Sequence, residues 1–432
     1  MKLFGTSGIR RIADNEFFEL AVKAGLAVGK VCGNVVVGCD TRTSSDAVKH
    51  SLIAGLLAAG SKCCDVGVLP TPTLALATRE FQAGVMITAS HNPPEYNGIK
   101  LWNPDGSAFG YSQQEQIESM ILNGVLPVAP WSEISSGSIY DGAIEEHIEH
   151  IMEDFPGELK LKVVLDCACG AASVITPCLL EKLGCEVIDL NCTPGGFFPH
   201  PVEPTEANLG DLIQAVRGAG ADLGIAHDGD GDRMMAVDDN GRFIPGDKLL
   251  VLFARQAGAK EVVTTIDASM LIDEMGFNVI RTPVGDTCVS EQLKKGGDFG
   301  GEPSGSWIFP NSSLCPDGIY AAASLVAMAS RQKLSQLVDE VPCYPLVRSS
   351  VANTGVEMSD LKRRLLAMKP LSVSDVDGIR LGFEDGWLLV RVSGTEPRIR
   401  VTAEARTEER MRQLHDGGVG VVEDCMKGKK EE

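Results

Sequence analysis

The chain predicts an α/β fold: three similar mixed-sheet α/β lobes, then a smaller C-terminal α+β domain, around a central cleft. Three observations carry that expectation. β-branched runs alternate with helix-like stretches, the same order of elements occurs three times, and the pattern changes near residue 345. Buried runs of this kind mark parallel-sheet units whose faces are covered by helices.

Each repeat opens on a β-branched run ending in a polar or small residue: residues 35–40, 163–166 and 262–267. A helix-like stretch follows, and Gly60, Gly184 or Gly276 opens a second short strand. That strand runs into a Thr-Pro pair, at Thr71, Thr193 and Thr282. A third element ends in a loop of small and polar residues: 88–93, 228–233 and 300–305. Ordered self-similarity signals a repeated unit. In open sheets of this type ligands bind beyond the carboxyl ends of the strands, so the three loops are expected to line one cleft. Past residue 345, residues 378–386 read as a hairpin whose turn is Glu384-Asp385-Gly386. Strands over 387–392 and 399–405 and a terminal helix complete the last domain, with a solvated tail at 427–432. The expected domains are 1–138, 139–243, 244–345 and 346–432.

At 432 residues the chain is too long for one ordinary domain of about 100–200 residues. Its 44% hydrophobic and 23% charged residues are ordinary for globular proteins and exclude disorder, collagen and coiled coil. Thirty-nine basic against 59 acidic residues leave a net charge of −20. Such a surface repels nucleic acid and anionic membranes, so any anionic ligand must find a local basic pocket. No apolar run approaches the ~20 residues that span a bilayer, and no signal segment opens the chain, so a cytoplasmic location is expected. The 13 cysteines read as reduced, buried thiols. Neither the pair Cys63 and Cys64 nor the pair Cys167 and Cys169 has zinc-site spacing.

Four loops carry chemistry. Asp228, Asp230 and Asp232 alternate with glycines, so their carboxylates can fold around a hard cation that wants oxygen ligands. Arg233 follows them, placed to meet a phosphate shared with the metal. Ser90 lies in the Thr-Ala-Ser-His-Asn-Pro loop, and becomes a phosphoryl acceptor if that metal and the cations Arg10, His91 and Lys100 surround it. Lys100 would shuttle a proton if crowding by the other cations depressed its pKa. Glu302 and Ser304 on a tight turn suit the vicinal hydroxyls of a sugar. Finally, Arg391, Arg398 and Arg400 surround a Ser393-Gly394-Thr395 turn, a cradle for phosphate. Taken singly, each loop also reads as an ordinary turn or a salt-bridged hairpin.

Together with Thr6-Ser7-Gly8-Ile9-Arg10, these loops resemble the α-D-phosphohexomutase family over essentially the full chain. The resemblance implies four domains around a cleft, a phosphoserine at Ser90, and one Mg2+ per chain on Ser90, Asp228, Asp230 and Asp232. It implies catalytic cations at Arg10, Lys100 and Arg233, with His91 beside the serine. Sugar hydroxyls would meet Glu302 and Ser304; the distal phosphate would meet Arg391, Ser393, Gly394, Thr395 and Arg400. The implied substrate is a phosphohexose, turned over through a 1,6-bisphosphate that also serves as activator, in a monomer or homodimer. The alanine before Ser90 and Val284-Gly285-Asp286 are most similar to the phosphoglucosamine branch, particularly the archaeal one. Phosphomannose or phosphoglucose activity is the alternative. The family usually carries histidine where Ser306 follows the Glu-x-Ser-Gly turn here.

Overall fold

The computed structural model describes residues 3–5, 8–124, 126, 128–353, 355–392 and 398–427. In the first lobe the strand Asn34–Cys39, whose Val35, Val36 and Val37 are fully buried, lies between Lys62–Val68 and Ala83–Ile87 and runs parallel to both. Tyr96–Trp102 returns antiparallel beside Ala83–Ile87. The second lobe repeats the arrangement: Lys162–Asp166 runs parallel between Glu186–Leu190 and Leu223–His227, and Met234–Val237 returns antiparallel. So does the third, with Glu261–Thr265 between Asn278–Thr282 and Phe299–Glu302, and Ser306–Ile308 returning. The repeat expected from sequence is therefore one strand order used three times. Each special loop joins the third strand to its antiparallel return.

Two lobes extend this unit at their edges. Ile9–Ile12 pairs antiparallel with Tyr96–Trp102, and Gly137–Ile139 adds a parallel edge beside Lys62–Val68. The expected boundary between residues 138 and 139 falls inside that edge strand. Phe243–Ile244 closes the second sheet. The last lobe is a five-stranded antiparallel sheet ordered Leu346–Ala352, Arg398–Ala405, Gly386–Val392, Ile379–Phe383, Ser372–Ser374. The hairpin read from residues 378–386 is present within it. The helix Glu408–Lys427 packs on this sheet, and the tail beyond it lies outside the described residues.

The second and third lobes share one core, in which Leu165, Met234, Phe253, Phe299 and Trp307 are all buried. Phe253 meets the Trp307 ring at 5.2 Å between centroids. Truncating Trp307 to alanine would cost about 3–5 kcal/mol by the usual scale for large core residues. The first and last lobes have separate cores. Between the third and fourth lobes, Ile266 packs on Trp387 and Leu389. Glu404, almost fully buried, accepts hydrogen bonds there from the Ser269 hydroxyl, from Met270 N at 2.7 Å and from Trp387 Nε1 at 2.6 Å. Among the described residues no helix is long and apolar enough to cross a membrane.

Candidate active site

The strand order puts Ser90, the residues 228–233 and Glu302 at equivalent carboxyl ends of third strands. Ser90 is buried and holds φ +52°, a left-handed conformation unusual for a side chain other than asparagine or glycine. What over-determines that strain is Arg42. Its Nη1 donates to the carbonyls of Pro93 (2.6 Å) and Tyr96 (3.0 Å), and its Nη2 to those of Ser90 (2.7 Å) and Asn92 (2.8 Å). Asp40 fixes Arg42 through Nε at 2.9 Å and accepts the hydroxyls of Ser45 (2.5 Å) and Thr88 (2.7 Å).

The second loop comes to meet the first. Ser90 Oγ donates to Asp228 Oδ2 at 2.8 Å. Gly229 must be glycine, because a Cβ there would stand 2.6 Å from the Ser90 carbonyl oxygen. Asp228, Asp230 and Asp232 are all buried and present carboxylate oxygens within 4.8 Å of one another. Lys100 Nζ lies 2.7 Å from both Asp230 and Asp232, and the Thr71 hydroxyl donates to Asp230 at 2.5 Å. Even so, Asp230 Oδ1 is buried with no hydrogen-bond partner among the described residues. Burial, with Asp232 and Asp230 beside it, raises the pKa of Asp228, and Asp232 is raised as well. Burial opposes ionisation of Asp230 too, but Lys100 outweighs it and holds that carboxyl ionised. An all-oxygen set with a spare buried oxygen and crowded like charges fits a hard divalent cation.

Two other cations, Arg10 and Arg233, border this cluster; His91, expected from the sequence as a third, is not charged, because burial and the neighbouring cations oppose its protonation. Arg10, two strand positions from Lys100 across the pairing of Arg10 with Gly98, donates to Asn92 Oδ1 at 2.9 Å. Arg233 reaches Glu203 at 3.4 Å. His91 Nδ1 lies 3.3 Å from Ser90 Oγ, and burial together with Arg233, Arg10 and Lys100 pushes its pKa down to about 2, so it is neutral. The sequence-based expectation for Lys100 needs correction. Burial alone would lower its pKa, but Asp230 and Asp232 carry it above the ordinary lysine value, so it stays charged.

In the third lobe Glu302 accepts from Gly285 N at 2.7 Å and from the Ser304 hydroxyl at 3.4 Å. Burial first, then Asp286, raises its pKa to about 7. Ser306, where the resemblance expects histidine, is a buried strand residue opposite Glu302, and its backbone bridges to Arg233. In the fourth lobe Arg391 pairs with Asp377 at 2.8 Å, and Asp377 also accepts from Val284 N at 3.1 Å. Ser393, Gly394 and Thr395 lie outside the described residues, as do Thr6 and Ser7. Arg400 stands beside Arg391 on the neighbouring strand.

Sequence reasoning gave no role to Asp40, Arg42 or Thr71. A signal existed for each. Asp40 and Arg42 sit where the first repeat's opening strand ends, and Thr71 belongs to the repeated Thr-Pro pair.

Four sequence models match along the chain: phosphoglucomutase/phosphomannomutase alpha/beta/alpha domain I at residues 1–125, domain II at 145–241, domain III at 245–344 and the C-terminal domain at 346–417. The chain belongs to the phosphoglucomutase/phosphomannomutase family. Among its relatives, probable phosphoglucosamine mutases from Methanosarcina acetivorans and Methanocella arvoryzae are 48% and 46% identical. Both alignments cover 99% of this chain, and 100% and 99% of the relatives. A crystal structure of a Burkholderia thailandensis member of the family superposes with a TM-score of 0.86 at 27% identity, covering 99% of this chain and 98% of that one. This membership makes the chain a phosphohexomutase, an isomerase that moves a phosphoryl group within a sugar phosphate.

Proposed function

We infer that the protein interconverts glucosamine 6-phosphate and glucosamine 1-phosphate, the activity for which its curated relatives are named. The observation that carries the chemistry is Ser90 Oγ held 2.8 Å from Asp228, inside the one three-carboxylate cluster among the described residues. Ser90 is the phosphoryl carrier. Asp228 accepts the hydrogen bond of its hydroxyl, and neutral His91 flanks the same oxygen at 3.3 Å. Arg10, Lys100 and Arg233 supply the positive charge that a transferring phosphoryl group needs, and Lys100 does so as a fixed cation. Asp228, Asp230 and Asp232, with an oxygen of phosphorylated Ser90, would hold Mg2+, which when bound neutralises charge growing on the phosphoryl oxygens.

Glu302 and Ser304 read the sugar hydroxyls. Arg391 and Arg400, with Ser393, Gly394 and Thr395, hold the phosphate that is not reacting. The sugar acquires a second phosphate from Ser90, turns end over end as its 1,6-bisphosphate, and returns the other phosphate to Ser90. A hexose 1,6-bisphosphate therefore serves as activator, because it phosphorylates a resting Ser90. The buried partners of Ser90 and the open arginines support this division of labour.

Phosphorus NMR with Mg2+ and trace hexose 1,6-bisphosphate, offering glucosamine, mannose and glucose 1-phosphates separately, tests the reading. Faster conversion of the glucosamine compound is expected. Faster conversion of mannose or glucose 1-phosphate would replace the sugar assignment and leave the serine chemistry standing.

A further inference from the structure

Between the third and fourth lobes lies a cavity of about 340 Å³, large enough for a sugar phosphate. Its walls include Arg348, Arg391, Arg400 and Asp267. The strand register explains why three guanidiniums gather there. Ser350, Arg400 and Arg391 stand opposite one another across three strands, and Arg348, Thr402 and Leu389 form the next row. Strand alternation puts both rows on one face of the sheet. The intervening Ile399, Val401 and Val390 enter the core beneath the helix Glu408–Lys427. Leu389 packs on Ile266, so this face looks toward the third lobe, whose next residue is Asp267. The Thr265 hydroxyl engages one Asp267 oxygen at 2.6 Å. Arg391 is tied to Asp377 at 2.8 Å, whereas Arg348 makes no ion pair within 4 Å among the described residues and acts on Asp247 only through its field.

Three guanidiniums suit a phosphate; a carboxylate beside them opposes one, unless the ligand brings its own cation next to the phosphate. We propose that this cavity reads an adjacent ammonium and phosphate, with Arg348 as a further phosphate ligand and Asp267 as the partner of the sugar's ammonium. The proposal rests on the mutase reading above and extends it. In glucosamine 1-phosphate the C2 ammonium neighbours the C1 phosphate. In glucosamine 6-phosphate the ammonium lies across the ring from the C6 phosphate. Asp267 therefore acts on one of the two orientations of the sugar and on amino sugars alone, which makes it a specificity residue.

The test is calorimetric titration of the full chain in EDTA, where the metal-dependent step is off, with glucosamine 1-phosphate, glucose 1-phosphate and glucosamine 6-phosphate. Arg348→Ala should weaken all three by about tenfold, as loss of one charge-assisted contact does. Asp267→Asn should weaken glucosamine 1-phosphate by about five- to tenfold on the same scale and leave glucose 1-phosphate unchanged or tighter. Damage to folding would weaken both 1-phosphates alike. Equal losses for the two 1-phosphates in Asp267→Asn, or unchanged affinities in Arg348→Ala, overturn the proposal. Turnover assays of the unsubstituted enzyme report separately on the mutase reading, since affinity in EDTA does not depend on which sugar is converted.

Discussion

The two ends of the cleft are built on opposite plans. At the serine end Asp228 and Asp230 are fully buried, Ser90 is 1% exposed and Lys100 4%. Ser90, Lys100 and Asp230 each make at least two hydrogen bonds to side chains. At the arginine end Arg348 and Arg400 are exposed and Arg391 is half-buried. The contrast matches the division of labour proposed above. Transferring a phosphoryl group needs charges already aimed at the place where charge develops, in a setting where water does not screen them. Holding a phosphate needs charge alone, and the phosphate must leave whenever the sugar turns. Burial and crossed hydrogen bonds therefore belong at one end, and solvent access at the other.

Substitution of Asp230 breaks this comparison most severely. Asp230→Asn removes a charge that faces Lys100, the Thr71 hydroxyl and the proposed metal at once. We expect kcat to fall about a thousandfold or more, the scale of losing a preorganised electrostatic group. Mg2+ titrated by calorimetry should bind correspondingly more weakly. An unchanged Mg2+ dependence would detach the metal from this cluster.

The next effect comes from a residue remote from the phosphoryl group. Arg42→Ala strands the buried Asp40 carboxylate and releases four carbonyls of the Ser90 loop. Breaking a buried pair of this kind costs about 3–5 kcal/mol of folding stability. Loss of the loop's geometry should lower kcat about a hundredfold, since displacement of a reacting group by about 1 Å has that effect. Thermal denaturation and steady-state kinetics measure the two. A folded Arg42→Ala protein with full kcat would show that the strained conformation of Ser90 needs no support.

Arg42 also marks where legibility in the sequence ended. The repeat was readable because strand order is written in hydrophobic runs and glycines, and those patterns are local. Asp228, Asp230 and Asp232 stand out for the same reason, and Ser90 stands out only through its place beside them in the set of motifs. Arg42 did not, because its role is to bond carbonyls 48 to 54 residues away, and an arginine after a strand carries no mark of that. The charged state of Lys100 is illegible in the sequence for a related cause. Its neighbours in the chain gave no hint that two carboxylates of another lobe would lie 2.7 Å away. Ser393, Gly394 and Thr395 remain a proposal carried by their motif.

The arginine end should respond more gently. Arg391→Ala removes one of several cations in an open pocket, with its Asp377 partner partly solvated. KM for phosphohexose should rise about tenfold while kcat changes by less than about twofold, the pattern of a contact made equally in ground and transition states. A fall in kcat matching that of Asp230→Asn would erase the distinction between the two ends.

Glu302 sharpens the comparison from the middle of the cleft, and its expected effect is the smallest. Its carboxyl is raised from the ordinary 4.5 to about 7, first by burial and then by Asp286, against the pull of Arg233. A carboxyl with a raised folded-state pKa binds its proton more tightly in the folded protein than in the unfolded chain. Its contribution to stability is therefore complete below about 4.5 and is lost as pH rises through about 7. Between pH 5 and 8 that loss amounts to about 2–3 kcal/mol. Gln at this position does not titrate. In EDTA, the fall in Tm from pH 5 to pH 8 should be about 3 °C or more smaller in Glu302→Gln than in the unsubstituted chain. Parallel curves would mean that Glu302 titrates as a solvated carboxylate, which would place the third-lobe loop with the open arginine end and leave desolvation confined to the surroundings of Ser90.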